Sequence, residues 1–219
     1  MGHNIIFFDL DGTLTDPKEG ITKSVKYALN AFGIQVHNLD SLTCFIGPPL
    51  LSSFMEYYNF SRNDAEFAVK KYRERFSSVG IFENKVYSGV PEMLKILKSN
   101  GKTLCIATSK PTVFADRILD KFDLKKYFTQ IMGSELDGTR CDKADVIKEL
   151  MEIISNKGIA ADNAVMVGDR KHDIIGAKAN GLTSVGVEFG YAEKYELANA
   201  GADYIAANME ELLSILSKI

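Results

Sequence analysis

The spacing of apolar positions changes character along this chain, and each change marks an element. Ile5-Ile6-Phe7-Phe8 is an unbroken apolar run, the pattern of a short strand covered on both faces within a parallel sheet. After Asp16-Pro17 the spacing becomes helical and stays so to about Ser78. Ile21, Val25, Ala28, Leu29 and Phe32 fall on one face, with Gly33 as the stop. A second helix is expected from near Pro49 through Phe54, Met55 and Tyr58. A third is expected from Ser61, an N-cap with Asp64 three residues on, through Phe67, Val69, Tyr72 and Phe76.

From Tyr87 onward, strands alternate with helices. Gly89-Val90-Pro91 opens a helix closed by Asn100-Gly101, and Thr103 to Thr108 is an apolar strand leading to a helix from Pro111. Gln130-Ile131-Met132 reads as a short strand, Asp142 as the cap of a helix carrying Val146, Leu150 and Ile153, and Ala164 to Val167 as a strand stopping at Gly168-Asp169. A helix ending at Asn180-Gly181, strands at Thr183 to Val187 and Asp203 to Ala206, and a helix near Met209 to Ser217 complete the chain. Such alternation predicts an α/β fold with a doubly wound, Rossmann-like parallel sheet. The helical stretch contains no strand, so it reads as an inserted all-helical domain. The expected division is a core of residues 1–16 and 86–219 and a helical cap of 17–85. The links would be Asp16-Pro17 and Ile81 to Lys85.

Composition narrows the function without choosing it. The chain has 219 residues, 46% hydrophobic and 25% charged, values ordinary for a globular protein with a full core. A formal net charge of −3 gives no support for a nucleic acid polymer or an anionic membrane as partner. The Met1-Gly2-His3 start lacks a basic leader region, and no apolar run is long enough to span a bilayer. Cys44, Cys105 and Cys141 are odd in number and widely spaced, as expected of reduced thiols in a cytoplasmic protein. A monomer is the default expectation, with a homodimer as the alternative.

The chemistry is concentrated where strands end. Asp9 and Asp11 close the first strand, and in an open parallel sheet ligands sit beyond the carboxyl ends of strands. Two carboxylates about 4 Å apart repel by roughly 4 kcal/mol at an effective dielectric near 20. A cation relieves this, and oxygen ligands favour a hard one such as Mg²⁺. Gly12 is expected to bring its N–H up to a bound anion. Asp-Gly is also ordinary turn chemistry; a calcium loop would want Glu where Gly20 stands. Further polar groups recur at later strand ends or loops: Thr108 with Ser109, Lys143 at a helix start, and Asp169 with Asp173.

Residue types suggest the roles. Asp9 is the candidate nucleophile and Asp11 the acid and base. The Thr108 hydroxyl and the Ser109 N–H, at a helix N-terminus, would bind phosphate oxygens. Lys143 would offset phosphate charge and that of Asp9. Asp9, Asp11 and Asp169 would hold Mg²⁺, with Asp173 as a ligand or as support. Taken singly, Thr108-Ser109 could cap a helix, Lys143 could be solvated, and Gly168-Asp169 could be a turn. His3, His37 and His172 show no partner pattern, and His172 reads as an exposed helix residue.

The set Asp9 to Asp16 (DLDGTLTD), Thr108 to Lys110 (TSK), Lys143 and Gly168 to Asp173 (GDRKHD) resembles the haloacid dehalogenase superfamily over nearly the whole chain. That resemblance implies a Mg²⁺-dependent phosphatase with a small helical cap, an aspartyl-phosphate on Asp9, and Mg²⁺ touching the Asp11 backbone carbonyl. Gly47 to Leu50, Tyr87 to Val90 and Gly133 to Arg140 are similar to the phosphoglycolate phosphatase and 5′-nucleotidase branch. The expected substrate is a small phosphorylated metabolite, phosphoglycolate first. A nucleoside 5′-monophosphate or a sugar phosphomutase reaction is the alternative. Asp11 argues against carbon–halogen hydrolysis, which has no leaving alcohol to protonate. A phosphonate hydrolase would need a cap lysine, Lys23 or Lys26, to form an imine. A phospho-accepting signalling module is the non-enzymatic rival, but such modules are about half this length.

Overall fold

The computed structural model describes residues 4–219; His3 lies outside them. The chain divides into two compact units, Asp16–Lys85 and the segment ending at Thr15 together with Val86–Ile219. The chain leaves the larger unit through β2 (Thr15–Asp16) and returns through β3 (Lys85–Val86).

In the larger unit, β1 (Ile5–Phe8) stands in the middle of a six-stranded sheet. The other members are β4 (Thr103–Pro111), β5 (Gln130–Ser134), β6 (Ala164–Gly168), β7 (Thr183–Val187) and β8 (Tyr204–Ala206), in the order β5-β4-β1-β6-β7-β8. All pairings are parallel, with Ile5 opposite Thr103 on one side and Ala164 on the other. The continuous apolar run has its reason here: Ile5 to Phe8 are buried, and each such side chain contributes about 1.5–3 kcal/mol. Ile5 and Phe7 join a cluster with Cys105, Ala107, Val146, Ile147, Leu150, Met166 and Ala177. Alternation sends Ile6 and Phe8 to the opposite face, where Phe8 meets the Phe128 ring edge-on.

Helices cover the sheet. They are α4 (Val90–Ser99), α5 (Thr112–Lys121), α6 (Lys143–Asn156), α7 (Lys171–Ala179), the short α8 (Glu196–Asn199) and α9 (Met209–Lys218). The α6 helix packs on α7 and β4, while α5 packs on β4 and β5 and α4 on α9. Asp142 caps α6 as expected, accepting the Ala144 N–H at 2.8 Å. Because β4 and β6 flank β1, the connections run outward in opposite directions from it. The carboxyl end of β1 is therefore a switch point, where an open sheet leaves a crevice.

The smaller unit is helical throughout its interior. The α1 helix (Lys18–Asn30) packs on α3 (Arg62–Phe76) and on a 3-10 segment at Leu39–Phe45, and α2 (Leu50–Tyr58) packs on α3. Ser61 caps α3 by accepting the Asp64 N–H at 3.2 Å. Phe45 and Phe54 form the buried centre of an aromatic group that includes Tyr57, Tyr58 and Phe60. The α1 helix lies close against the returning chain, since a Cβ on Gly20 would come 1.9 Å from the Gly80 carbonyl oxygen. Across that contact the Arg75 guanidinium grips Glu83 with two bonds of 2.7 and 3.0 Å. Among the described residues, no helix is long and apolar enough to cross a membrane.

Candidate active site

Two segments of the larger unit, those that follow β1 and β6, bring carboxylates together at the end of β1. Asp9 follows the strand directly, its N–H donating to the Val167 carbonyl at 2.8 Å, so the sheet ladder extends to it. Asp169 arrives from the turn after β6 and Asp173 from the first turn of α7. Ligand oxygens of Asp9, Asp169 and Asp173 all lie within 4.8 Å of one another, and all three residues are buried. Close backbone approach makes this convergence possible. A Cβ on Gly12 would sit 2.1 Å from Asp169 Oδ2, one on Gly168 would sit 2.1 Å from Asp173 Cγ, and one on Gly190 would sit 2.4 Å from Asp169 Cβ. Gly12 also carries φ +83, a torsion few other residues hold without strain.

Lys143 begins α6 and is 4% exposed. Its Nζ donates to Asp9 Oδ1 at 2.8 Å and to the Ala107 carbonyl at 2.9 Å, and stands 2.8 Å from Asp173 Oδ1. The last contact is an ion pair without hydrogen-bond geometry at that oxygen. Burial alone would lower the Lys143 ammonium, but Asp173 and Asp9 outweigh it and hold the group above its ordinary value. The solvated alternative for Lys143 is excluded.

The carboxylates show the converse strain. Burial, with help from Asp173 and Asp9, pushes Asp169 well above the usual carboxylate range. Burial raises Asp173 to about 6, against the opposing pull of Lys143. Asp169 Oδ2 accepts the Tyr191 N–H at 2.8 Å and its Oδ1 faces the Thr13 hydroxyl at 3.4 Å. Asp173 Oδ2 accepts the Arg170 N–H at 3.0 Å. Asp9, Asp11, Asp169 and Asp173 stand against Lys110 and Lys143, the buried Arg170 being paired with Glu196, so the cluster keeps two formal negative charges uncompensated. An all-oxygen donor set with that deficit fits a hard divalent cation.

Several expected placements change. The Asp11 carboxylate stands outside the three-residue cluster and pairs with Lys110, whose Nζ lies 2.6 Å from Asp11 Oδ2. Its other oxygen, Oδ1, is buried with no hydrogen-bond partner. The Asp11 side chain is therefore directed to Lys110 rather than to the cluster, whereas the contact expected from the resemblance was through its backbone carbonyl. Burial raises its pKa in spite of Lys110. The Gly12 N–H donates to the Thr15 carbonyl at 2.7 Å, so it is not open to an anion; glycine is required by the contact with Asp169.

Ser109 does not begin a helix. The β4 strand runs on to Pro111 with a register shift after Ala107, and α5 starts only at Thr112. Ser109 is half-buried in that irregular stretch, and its carbonyl accepts the Ser134 hydroxyl at 2.8 Å. Thr108 is buried, and its hydroxyl accepts the Lys110 N–H at 3.3 Å. His172 is half-buried, and burial, followed by Arg170 and Lys171, lowers its pKa.

Lys110 and the Gly190-Tyr191 loop were not singled out by sequence reasoning. Lys110 stood beside Thr108-Ser109 in a recognised motif, and its charge next to a strand end was the available signal. Nothing local marked Tyr191, which contributes only a backbone N–H.

A parallel sheet with buried acids at its switch point is an α/β architecture with a ligand site where such sheets place one. A family model described as haloacid dehalogenase-like hydrolase matches residues 6–187, and the chain belongs to that family. It is 46% identical to a 5′-nucleotidase of Pseudomonas aeruginosa over 96% of this chain and 94% of that protein. It is 35% identical to the tyrosine-protein kinase PtkA of Mycobacterium tuberculosis over 97% and 72%. Phosphoglycolate phosphatase 1 of Pseudomonas aeruginosa is 29% identical over 95% and 78%. Among solved structures, a predicted phosphatase from Clostridium acetobutylicum superposes with a TM-score of 0.96 at 51% identity, covering 100% of both chains.

Proposed function

We propose that this chain is a Mg²⁺-dependent phosphomonoesterase acting on a small phosphorylated metabolite through an aspartyl-phosphate on Asp9. The observation that supports this most is the unequal setting of the two β1 carboxylates. Asp9 lies in the cluster with Asp169 and Asp173 and bonds to Lys143, whereas Asp11 lies outside it beside Lys110. Two acids in distinct surroundings can divide a reaction between them.

Asp9 is assigned the attack on phosphorus, because β1 and the Lys143 bond hold its carboxylate rigidly. Asp11, whose proton is favoured by burial, is assigned protonation of the leaving oxygen and then deprotonation of the attacking water. Lys143 offsets charge on Asp9 and on the phosphoryl group. Asp9, Asp169 and Asp173 would hold Mg²⁺, which supplies charge stabilisation when bound. Thr108 is retained as a phosphate contact through its hydroxyl. The helical unit is assigned the part of a cap that selects the substrate.

We rank nucleoside 5′-monophosphates ahead of phosphoglycolate as substrates to test, an order that the higher identity to the 5′-nucleotidase supports. This reverses the order expected from the sequence. Lys23, a candidate imine-forming lysine, is paired with Glu19 and Glu83 at 2.6 and 3.0 Å, which disfavours the phosphonate reading. The decisive assay is phosphate release from a phosphomonoester panel with Mg²⁺, with EDTA, and with Asp9→Asn. Sugar-phosphate isomerisation is followed alongside. Asp9→Asn should lower turnover by about 10⁴-fold or more while remaining folded. EDTA-insensitive turnover, near wild-type activity of Asp9→Asn, or isomer without free phosphate would overturn the proposal.

A further inference from the structure

Glu196 is a buried charge outside the carboxylate cluster for which the chemistry above has no use. Its side chain is 8% exposed. Oε1 accepts from Arg170 Nε at 2.9 Å and from the Lys171 N–H at 2.8 Å, and Oε2 accepts from the Glu193 N–H at 3.0 Å. One carboxylate thus holds three donors belonging to two loops. The first is the turn after β6, where the Arg170 N–H bonds Asp173. The second is the segment after β7, where the Tyr191 N–H bonds Asp169.

The residue before Glu196 shows that this junction is over-determined. Tyr195 has φ 66, a left-handed conformation that costs a non-glycine residue about 1–2 kcal/mol. Such strain persists only where the surroundings impose it. Its carbonyl accepts the Asn199 N–H at 2.9 Å, so the turn carrying Glu196 is closed on itself. Gly190 lets the same segment lie against Asp169, where a Cβ would come 2.4 Å from the Asp169 Cβ and from the Gly12 carbonyl oxygen. The segment has no slack at Asp169, so its anchoring at Glu196 bears directly on where that carboxylate points.

We propose that Glu196 is a positioning residue. By tying the Arg170–Lys171 backbone to the 190–195 segment, it fixes Asp169 and Asp173 relative to each other as cation ligands. This rests on reading the acidic cluster as a cation site. Partners that orient ligands in this way typically govern 10–100-fold in metal affinity.

The test compares wild type, Glu196→Gln and Glu196→Asp for binding of Mn²⁺ alone, by calorimetry and by the electron-spin signal of free Mn²⁺. Circular dichroism and the Mg²⁺ dependence of phosphate release are measured alongside. Gln turns an N–H₂ toward one of the three donors, and Asp keeps the charge but is one methylene too short. Both are expected to weaken Mn²⁺ binding about 10–100-fold and to raise the Mg²⁺ concentration for half-activation. The far-ultraviolet spectrum should be unchanged, and kcat at saturating Mg²⁺ should be close to wild type. Wild-type affinity in both variants overturns the proposal. So does weakening in Glu196→Gln alone, which would make the effect one of charge at a distance. Should Glu196→Gln not fold, Glu196→Asp decides between wild-type and weakened affinity. A wild-type chain that binds no Mn²⁺ overturns the cation reading and the positioning role with it. Wild-type binding with unchanged variants overturns the positioning role alone.

Discussion

Replacing Lys143 by Met probes the electrostatics of the site most directly. The side chains are similar in length, so packing along α6 is largely kept while the ammonium is lost. In the native site that ammonium lies 2.8 Å from an oxygen of Asp9 and 2.8 Å from one of Asp173, with Asp169 in the same cluster. Removing it leaves buried carboxylates facing one another, each close pair repelling by roughly 4 kcal/mol at an effective dielectric near 20. Removing one partner of a buried ion pair costs about 3–5 kcal/mol. With a urea slope near 3 kcal/mol per molar, the unfolding midpoint in EDTA should fall by about 1 to 1.7 M. The Lys143 pKa is raised, so its contribution is fully present below the ordinary lysine value. It is lost only as pH rises through the folded-state value. Because Asp173, already raised to about 6 with Lys143 present, takes up a proton more readily without it, the deficit should be smaller near pH 6 and grow toward pH 9, roughly. A divalent cation supplies the missing charge, so Mg²⁺ should restore more stability to Lys143→Met than it adds to wild type. Phosphate release should stay low in both conditions. An unchanged urea midpoint in EDTA, or equal stabilisation of both proteins by Mg²⁺, would refute the reasoning.

Two further changes test separate parts of the molecule. Gly12→Ala places a methyl 2.1 Å from Asp169 Oδ2 on a backbone with φ +83. It should cost about 1–2 kcal/mol from the torsion alone and abolish Mn²⁺ binding in a calorimetric titration; retained affinity would contradict the close packing described here. In the helical unit, the Arg75 hydrogen bond, with that of Lys23, holds Glu83 below the usual carboxylate range in spite of burial. The stability this pair contributes is present above the ordinary carboxylate value and is lost as pH falls through the lower folded value. Glu83→Gln should therefore lower the thermal midpoint at pH 7, by the equivalent of about 1 kcal/mol, and the difference should shrink in acid. A difference independent of pH would dismiss the ion pair as its cause.

Much of the architecture was legible in local pattern because local physics carries it. A continuous apolar run such as Ile5 to Phe8, four residues long and ended by turn residues, fits a strand buried on both faces, and Ser61 and Asp142 cap helices through bonds to residues two or three positions away. Strand ends and the helix starts that follow them are where a parallel sheet presents polar groups, so Asp9, Asp169 and Lys143 could be named before their convergence was seen. Local pattern could not say which acid pairs with which base. Lys110 reaches Asp11 because the irregular end of β4 places it there, and that register shift has no signature in apolar spacing. The same irregularity moved the start of α5 to Thr112 and left Ser109 in the strand. Gly12 was read as an anion contact, but its missing side chain answers to Asp169, 157 positions away. Glu196 and the Tyr191 N–H have meaning only across the loops they join. Periodicity and capping report interactions within a few residues, whereas charge pairing at a distance is decided by where the folded backbone brings each group.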